Sequence, residues 1–441
     1  MTTIDARYRA LTQFALWMLF AAAAALLLPL APVDVAFKLW SIASTGLSIG
    51  LLQHLPGEQA YRRLANGFGA LLALSAALAS FQLLDHPFLL AAALGVVVAI
   101  PLAARSPGLP RGVALASAAV GAAFGIAELI ERSSLGGDEI VTEVVDRASS
   151  RRLAVGRFDV PDPVRGFAGR PDSIVRVRLR RAGGLVYDAT YTLDRQGRRE
   201  TPRRSPAPPN VVLFGDSFAF GEGVNDAETV PAQLERLTPE IRTMNFGFKA
   251  YGPHQALAAV EAGLPERELA AGAPAAAVYY AAFDLNRAAG RAFWDVAGPH
   301  YEIGSDGEPV FRGPFSADRR LRAIGLLNRS YLLREIIRTR LGGEDDVRLY
   351  VALIERTAHL FRERHGGPFL AVLWGERRYR SYADAAERLR ARGIDVKTIQ
   401  EIVPDFETLR PELELLDGHP SREGHARVAA DLADRLRSGA R

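Results

Sequence analysis

The chain has 441 residues, more than one ordinary domain holds, and a formal net charge of +4. It contains no cysteine, which excludes disulfides, thiolate metal sites and a cysteine nucleophile. Its Arg residues are interspersed with Asp and Glu rather than gathered into a basic stripe, so the sequence predicts no nucleic-acid partner. Apolar residues dominate before about residue 131, and nearly all charged residues follow it. This division predicts a membrane part followed by a water-soluble part.

Five apolar stretches within residues 1–131 have the length of transmembrane helices, about 17–20 residues each. They are residues 11–30, 39–55, 67–84, 87–104 and 113–130. With five spans, all loops that carry Arg fall on one side, which is the cytoplasmic side by the positive-inside rule. The second stretch contains Ser, Thr and Gly, and a buried or interfacial helix is its alternative. The sequence therefore predicts a multi-pass protein of the cytoplasmic membrane, with residues 132–441 on the outer, periplasmic or extracellular, face.

Residues 132–209 are predicted to form a small β-rich unit. Residues 174–180 alternate between apolar and basic side chains, and residues 187–194 alternate between apolar and polar ones after Gly183 and Gly184. Two such runs around a Gly-Gly turn predict a β-hairpin. A Pro-rich linker, residues 201–209, follows. The sequence assigns no function to this unit.

In residues 210–441, apolar runs alternate with amphipathic segments. Strands are predicted at residues 211–214, 242–246, 275–281, 369–373 and 394–399, and helices at 227–237, 316–341, 347–364 and 382–391. This alternation predicts an α/β domain whose parallel sheet is covered on both faces. Ligands of such sheets bind at the carboxyl ends of the strands.

The first candidate catalytic segment joins a predicted strand to a helix. An apolar strand runs into Gly215, Asp216 and Ser217, so Ser217 stands at the carboxyl end of the strand. A serine at such a corner is exposed to substrate, and its own N–H can point at a developing oxyanion. The alternative is that Asp216 or Ser217 only caps the following helix.

The second candidate segment lies near the C-terminus, where Asp417, His419 and His425 precede an amphipathic helix at residues 426–436. Histidine is the usual general base near neutral pH, and a nearby carboxylate can orient its ring. The alternative is a turn and helix start in which His419 is only polar surface.

Together these segments resemble the SGNH, or GDSL, hydrolase superfamily. The run Gly-Asp-Ser-Phe-x-Phe-Gly-x-Gly-Val at residues 215–224 is similar to the family's first block, and Asp-x-His-Pro-x-x-x-Gly-His at residues 417–425 is similar to its last. The resemblance covers residues 210–437 and implies a flavodoxin-like parallel sheet. It also implies a triad in which Ser217 is the nucleophile, His419 the base and Asp417 the acid. The family's usual spacing would place that acid at Leu416 instead.

The resemblance also implies backbone and side-chain donors for an oxyanion. The Ser217 N–H is one candidate. Ala250 stands where the family has a glycine donor, and Gly252 is the other candidate in that block. Where the family has an asparagine donor this chain has Phe283, which cannot donate. Either Asn286 is the substitute, one turn further on, or the site lacks this donor. Loss of one such donor typically costs about 10²–10³ in rate.

Members of this family are esterases, lipases, carbohydrate O-acetylesterases and O-acetyltransferases. The resemblance and the predicted outer location together imply a serine esterase. Its expected substrates are acyl or acetyl esters of envelope glycans or lipids, cleaved through an acyl-Ser217 intermediate. An O-acyltransferase with the same triad and a non-catalytic glycan-binding protein on a decayed hydrolase fold are the alternatives. No cofactor and no metal are expected.

Overall fold

The structure, a computed structural model, describes residues 138–202, 210–328, 330, 333–334, 343–376 and 380–439. The five predicted membrane spans lie outside these residues. Within them, no helix has the length and apolar character needed to cross a membrane. The described residues within 136–325 and 337–441 belong to one compact unit, and the sites described below lie in it.

The β-rich segment, residues 138–202, contains an antiparallel sheet with strand order β2-β1-β5-β6. Its strands and the separate pair β3–β4 are β1 (Glu139–Asp146), β2 (Arg152–Val155), β3 (Asp159–Asp162), β4 (Gly166–Gly169), β5 (Ser173–Arg181) and β6 (Gly184–Leu193). The predicted hairpin is confirmed, because β5 and β6 pair antiparallel with Val177 opposite Ala189. Ala182 and Gly183 make the turn with positive φ angles of 49° and 80°. The alternating apolar residues of both strands are buried, as their period of two requires.

The second sheet has five parallel strands in the order β13-β12-β9-β7-β8. The strands are β7 (Val211–Gly215), β8 (Thr243–Asn245), β9 (Ala275–Ala282), β12 (Gly366–Trp374) and β13 (Asp395–Thr398), and β10 (Pro299–Ile303) pairs with β11 (Pro309–Pro314) in a separate hairpin. Numbered along the chain, the parallel strands follow the flavodoxin-like order 2-1-3-4-5. The predicted α/β fold of this part is therefore confirmed.

Helices cover both faces of the parallel sheet. In chain order they are α1 (Ser217–Phe220), α2 (Val230–Leu237), α3 (Pro253–Glu261), α4 (Leu285–Ala288), α5 (Arg319–Leu327), α6 (Glu344–His365), α7 (Arg380–Ala391), α8 (Ile399–Ile402), α9 (Phe406–Leu413) and α10 (Arg422–Gly439). Buried residues of α3, α6 and α7 form the core on one face, and those of α2, α8, α9 and α10 form the core on the other. The helix predicted at residues 316–341 begins later, at α5, because Asp318 accepts the N–H groups of Arg320 and Leu321 and so caps a new helix.

The antiparallel sheet packs against residues that follow β7 and β8. One hydrophobic cluster joins Val175 and Tyr191 of the sheet to Phe220, Phe248 and Tyr251. The rings of Tyr191 and Phe220 meet edge to face, with centroids 5.2 Å apart. The sheet therefore lies next to the carboxyl ends of the parallel strands, where a ligand site is expected.

Candidate active site

Ser217 lies at the turn between β7 and the short helix α1. Gly215 ends β7 with φ 145°, and a Cβ there would lie 1.8 Å from the carbonyl oxygen of Tyr280 on β9. Only glycine permits so close an approach of two strands. Because β7 adjoins both β8 and β9, its carboxyl end is the topological switch point of the sheet, where ligands of such folds bind.

The structure brings the three predicted triad residues together. Nε2 of His419 lies 3.0 Å from Oγ of Ser217, and Nδ1 lies 2.9 Å from Oδ2 of Asp417. The backbone N–H of His419 also donates to Oδ1 of Asp417. Gly418 has φ 87°, which lets a two-residue turn fold the carboxylate back onto the ring. The side chain of Leu416, at the family's usual acid position, is exposed. Asp417, only two residues before His419, takes the place of the acid in a Ser-His-Asp arrangement.

The charges around His419 favour its protonated form. Burial of the ring opposes protonation, but the hydrogen bond to Asp417 and the negative charges of Glu222 and Asp417 outweigh it and raise the pKa of His419 to about 9. Burial also acts to raise the pKa of Asp417, yet the hydrogen bond to His419 holds that pKa below its usual value. His419 is therefore a strong base that becomes available as the solution turns alkaline.

Asp216, the residue before Ser217, is buried and anchors the turn. Its Oδ1 accepts the N–H of Phe218 at 2.9 Å, so it caps α1 as the alternative interpretation expected. Its Oδ2 accepts the N–H of Ala282 at 3.1 Å and a bond from Nη1 of Arg287 at 2.8 Å. Burial raises the pKa of Asp216, and Arg287 and the two backbone N–H groups favour the carboxylate against it. Capping by Asp216 and a catalytic position for Ser217 are thus compatible.

Two of the predicted oxyanion donors have a free backbone N–H. The N–H groups of Ser217 and Ala250 have no acceptor in the part of the chain that the structure describes. Ala250 has φ 66°, a left-handed conformation that suits the glycine the family has there. The Gly252 N–H instead donates to Oε1 of Gln255 at 2.7 Å, and this bond disfavours Gly252 as a donor.

The side chains at the third predicted donor position are engaged elsewhere. Nδ2 of Asn286 lies 3.3 Å from Oδ1 of Asp284, and its Oδ1 accepts a bond from a neighbouring arginine. Phe283 packs against Tyr350, with ring centroids 5.2 Å apart. The position at which the family has an amide donor is therefore used for packing, and the bonds of Asn286 disfavour it as a substitute.

A buried polar network supports the loop that carries Ala250. Nε2 of His254 lies 2.8 Å from Oδ2 of Asp295, and Nε2 of Gln255 donates to the same oxygen at 2.7 Å. All three side chains are buried. Because the other end of Gln255 accepts the Gly252 N–H, the network ties the loop to Asp295. Sequence reasoning missed Asp295, which lies in a segment without a recognisable pattern.

Residues of the β-rich segment contact two loops of the site. Nη1 of Arg181 donates to the carbonyl oxygen of Leu416 at 2.8 Å, next to Asp417 in the chain. The hydroxyl oxygen of Tyr191 accepts the backbone N–H of Gly223 at 2.9 Å. The buried Arg199 donates to two carbonyl oxygens of that same loop at 3.0 and 2.8 Å. The sequence offered no signal for these contacts.

Within the described residues, a group of metal-ligating side chains lies outside the triad. His300, Glu302 and Asp318 bring ligand atoms within 4.8 Å of one another. Glu302 already pairs with Arg312 at 3.1 Å, and Asp318 caps α5. Both acidic side chains thus already have hydrogen-bond or ion-pair partners, and we assign no metal to the cluster.

No protein-family model matches the chain, and no curated protein matches it. Among solved structures, the chain is similar to a member of the lipolytic protein G-D-S-L family from Veillonella parvula DSM 2008, with 10% identity, 51% of this chain and 96% of that chain covered, and a TM-score of 0.33. It is also similar to a protein of the lipolytic G-D-S-L family from Desulfitobacterium hafniense DCB-2, with 16% identity, 51% and 98% covered, and a TM-score of 0.29. At these low values the likenesses carry no argument, and the assignment of function rests on the geometry of the site.

Proposed function

We propose that this chain is a serine esterase of the SGNH hydrolase type that hydrolyses acyl or acetyl esters. The observation that carries the proposal is the chain of contacts from Ser217 through His419 to Asp417, at 3.0 and 2.9 Å. The location of Ser217 at the switch point of a flavodoxin-like sheet supports it. The same contacts weigh against a non-catalytic glycan-binding protein, because binding alone requires neither a base nor an acid that orients it.

In the proposed reaction, Oγ of Ser217 attacks the ester carbonyl carbon while Nε2 of His419 takes the hydroxyl proton. Asp417 accepts the Nδ1–H bond and so maintains the ring tautomer in which Nε2 is free. We assign stabilisation of the tetrahedral oxyanion to the N–H groups of Ser217 and Ala250. His419 then gives its proton to the leaving alcohol. The neutral ring next takes a proton from a water molecule as that water attacks the acyl carbon, and it returns this proton to Oγ of Ser217 when the acid is released.

Labelling of the purified full chain with a fluorophosphonate tests this proposal. The probe should modify Ser217, and the wild type should hydrolyse p-nitrophenyl acetate. Ser217→Ala should lose both properties with an unchanged thermal unfolding temperature. Ser438→Ala, at the exposed end of α10, is the matched control and should keep both. Activity of Ser217→Ala within a few fold of wild type would mean that another residue is the nucleophile.

We further propose that the esterase acts on the outer face of the cytoplasmic membrane, on esters of envelope glycans or lipids. The support is the sidedness of the Arg-bearing loops in the sequence of residues 1–131. An alkaline phosphatase fused to the C-terminus should be active in a bacterial host. An inactive fusion, together with a bright cytoplasmic reporter at the same position, would contradict this topology.

A further inference from the structure

Glu222 lies at the active site without being part of the triad. Its Oε2 lies 3.6 Å from Nε2 of His419, the ring nitrogen that also contacts Ser217. Asp417 lies at the opposite ring nitrogen, Nδ1. The Glu222 side chain is 24% exposed, so its carboxylate borders both the catalytic pair and the solvent.

The loop that carries Glu222 has little conformational freedom. The Glu222 N–H donates to the carbonyl oxygen of Ser217 at 2.9 Å, and the next residue, Gly223, donates to the hydroxyl of Tyr191. Gly223 has φ 87°, and a Cβ there would lie 2.4 Å from Cδ1 of Leu415. The backbone on both sides of Glu222 is therefore fixed by the fold, and this limits where the carboxylate can lie.

In the part of the chain that the structure describes, no side chain or backbone N–H donates a hydrogen bond to the Glu222 carboxylate. Each of the other titratable groups near the His419 ring is either paired with an opposite charge or neutral. Asp216 pairs with Arg287, burial lowers the pKa of His425 to about 3, and burial raises the pKa of Tyr187, so both of the latter stay neutral. Glu222 thus offers a charged acceptor to whatever occupies the site.

We propose that Glu222 is a specificity-determining residue that selects the alcohol part of the ester. Its carboxylate accepts a hydrogen bond from a free hydroxyl on the carbon adjacent to the one that bears the ester oxygen, and it repels anionic alcohol parts. The inference rests on the proposed esterase function and favours esters of polyols or neutral sugars over esters of anionic alcohols.

The chemistry of acyl transfer gives the reason. The leaving oxygen must come within about 3 Å of Nε2 of His419 to receive its proton, and Oε2 of Glu222 lies beside that nitrogen. A hydroxyl on the neighbouring carbon can therefore reach the carboxylate. A carboxylate or phosphate at that place meets a like charge in a partly water-excluded site, where the repulsion is larger than in bulk water.

Three acetate esters that differ in the alcohol part test the proposal: ethyl acetate, 2-hydroxyethyl acetate and O-acetylglycolate. Their kcat/KM values are measured by acetate release, with the purified full chain at one pH. The ratio of kcat/KM for O-acetylglycolate to kcat/KM for ethyl acetate should be on the order of tenfold higher in Glu222→Gln than in the wild type. Each ratio compares two variants on the same esters, so the intrinsic reactivities of the esters cancel.

Two further variants separate charge from reach. Glu222→Asp keeps the charge on a shorter side chain, so it should still discriminate against O-acetylglycolate but lose the preference for 2-hydroxyethyl acetate. Glu423→Gln removes an exposed charge on α10, where Glu423 pairs with Arg427, and should leave every ratio unchanged.

The outcomes distinguish this proposal from the esterase function. Unchanged ratios in both Glu222 variants, with an inactive Ser217→Ala, would overturn the role of Glu222 and leave the esterase in place. Hydrolysis that survives Ser217→Ala would overturn the esterase mechanism itself. A wild type that hydrolyses none of the three esters, yet is labelled at Ser217 by the phosphonate, would also overturn the proposed selection.

Discussion

Replacement of Asp417 by Asn tests how this carboxylate acts on His419. Oδ2 of Asp417 accepts the Nδ1–H bond at 2.9 Å, which leaves Nε2 free to take the proton of Ser217. In the variant, the amide oxygen can still accept the backbone N–H of His419, as Oδ1 does at 3.2 Å. The amide N–H₂ group then faces Nδ1, which must accept. The ring proton moves to Nε2 and blocks transfer from Ser217.

The size of the effect follows from this tautomer. The equivalent substitution lowers kcat by about 10⁴-fold in the serine protease triad, which corresponds to about 5 kcal/mol of activation free energy. Glu222 acts in the same direction, because a carboxylate 3.6 Å from Nε2 favours a proton on that nitrogen. We therefore expect a loss of about 10⁴-fold in kcat for p-nitrophenyl acetate, with a small change in KM.

A double-mutant cycle provides the assay. His419→Ala should be at least as damaging as Asp417→Asn, and the double variant scarcely slower than His419→Ala, because the two residues act as one unit. Asp434→Asn, at an exposed position on α10, is the control and should keep the wild-type rate. A near-wild-type Asp417→Asn beside an inactive His419→Ala would refute the reasoning, and it would indicate a Ser-His dyad or an acid from elsewhere in the chain.

Two further predictions concern pH and the end of β7. The kcat/KM for p-nitrophenyl acetate should rise with pH toward the His419 pKa of about 9, because only the neutral ring accepts a proton. Glu222→Gln removes a charge that favours the protonated ring, so the midpoint of the rise should move to lower pH, and an unshifted midpoint would argue against this effect. Gly215→Ala forces a Cβ against the carbonyl of Tyr280 and should lower the free energy of unfolding in urea by roughly 3 kcal/mol. In the control Gly325→Ala the new Cβ meets no neighbour within 4 Å, so this variant should not lose stability. Equal free energies of unfolding for the two variants would contradict the close approach of Gly215 to Tyr280.

The parallel sheet could be predicted because its strands are buried on both faces. Such strands appear in a sequence as continuous apolar runs, as β9 does from Ala275 to Ala281. The hairpin β5–β6 could be predicted for the opposite reason, since one of its faces is polar and its residues alternate. Ser217 and His419 could be found because each follows a short pattern with a chemical meaning.

The remaining parts of the site depend on contacts that no local pattern encodes. Arg181 and Leu416 are 235 residues apart in the chain, and Asp295 meets His254 across 41 residues. Asp417 is one residue closer to the histidine than the family's acid, and the glycine between them indicated that the chain could turn there. The positive φ of 87° at Gly418 is the conformation that makes this turn.

The β-rich segment has a physical relation to the site that its sequence did not reveal. A triad works only if its groups stay within about 0.5 Å of the productive geometry, and two of the loops that hold this one lack regular structure. Arg181 fixes the loop of Asp417, while Tyr191 and Arg199 fix the loop of Glu222. All of these bonds go to backbone atoms of the loops. The segment therefore constrains where the loops lie and leaves the Glu222 side chain free to meet a substrate.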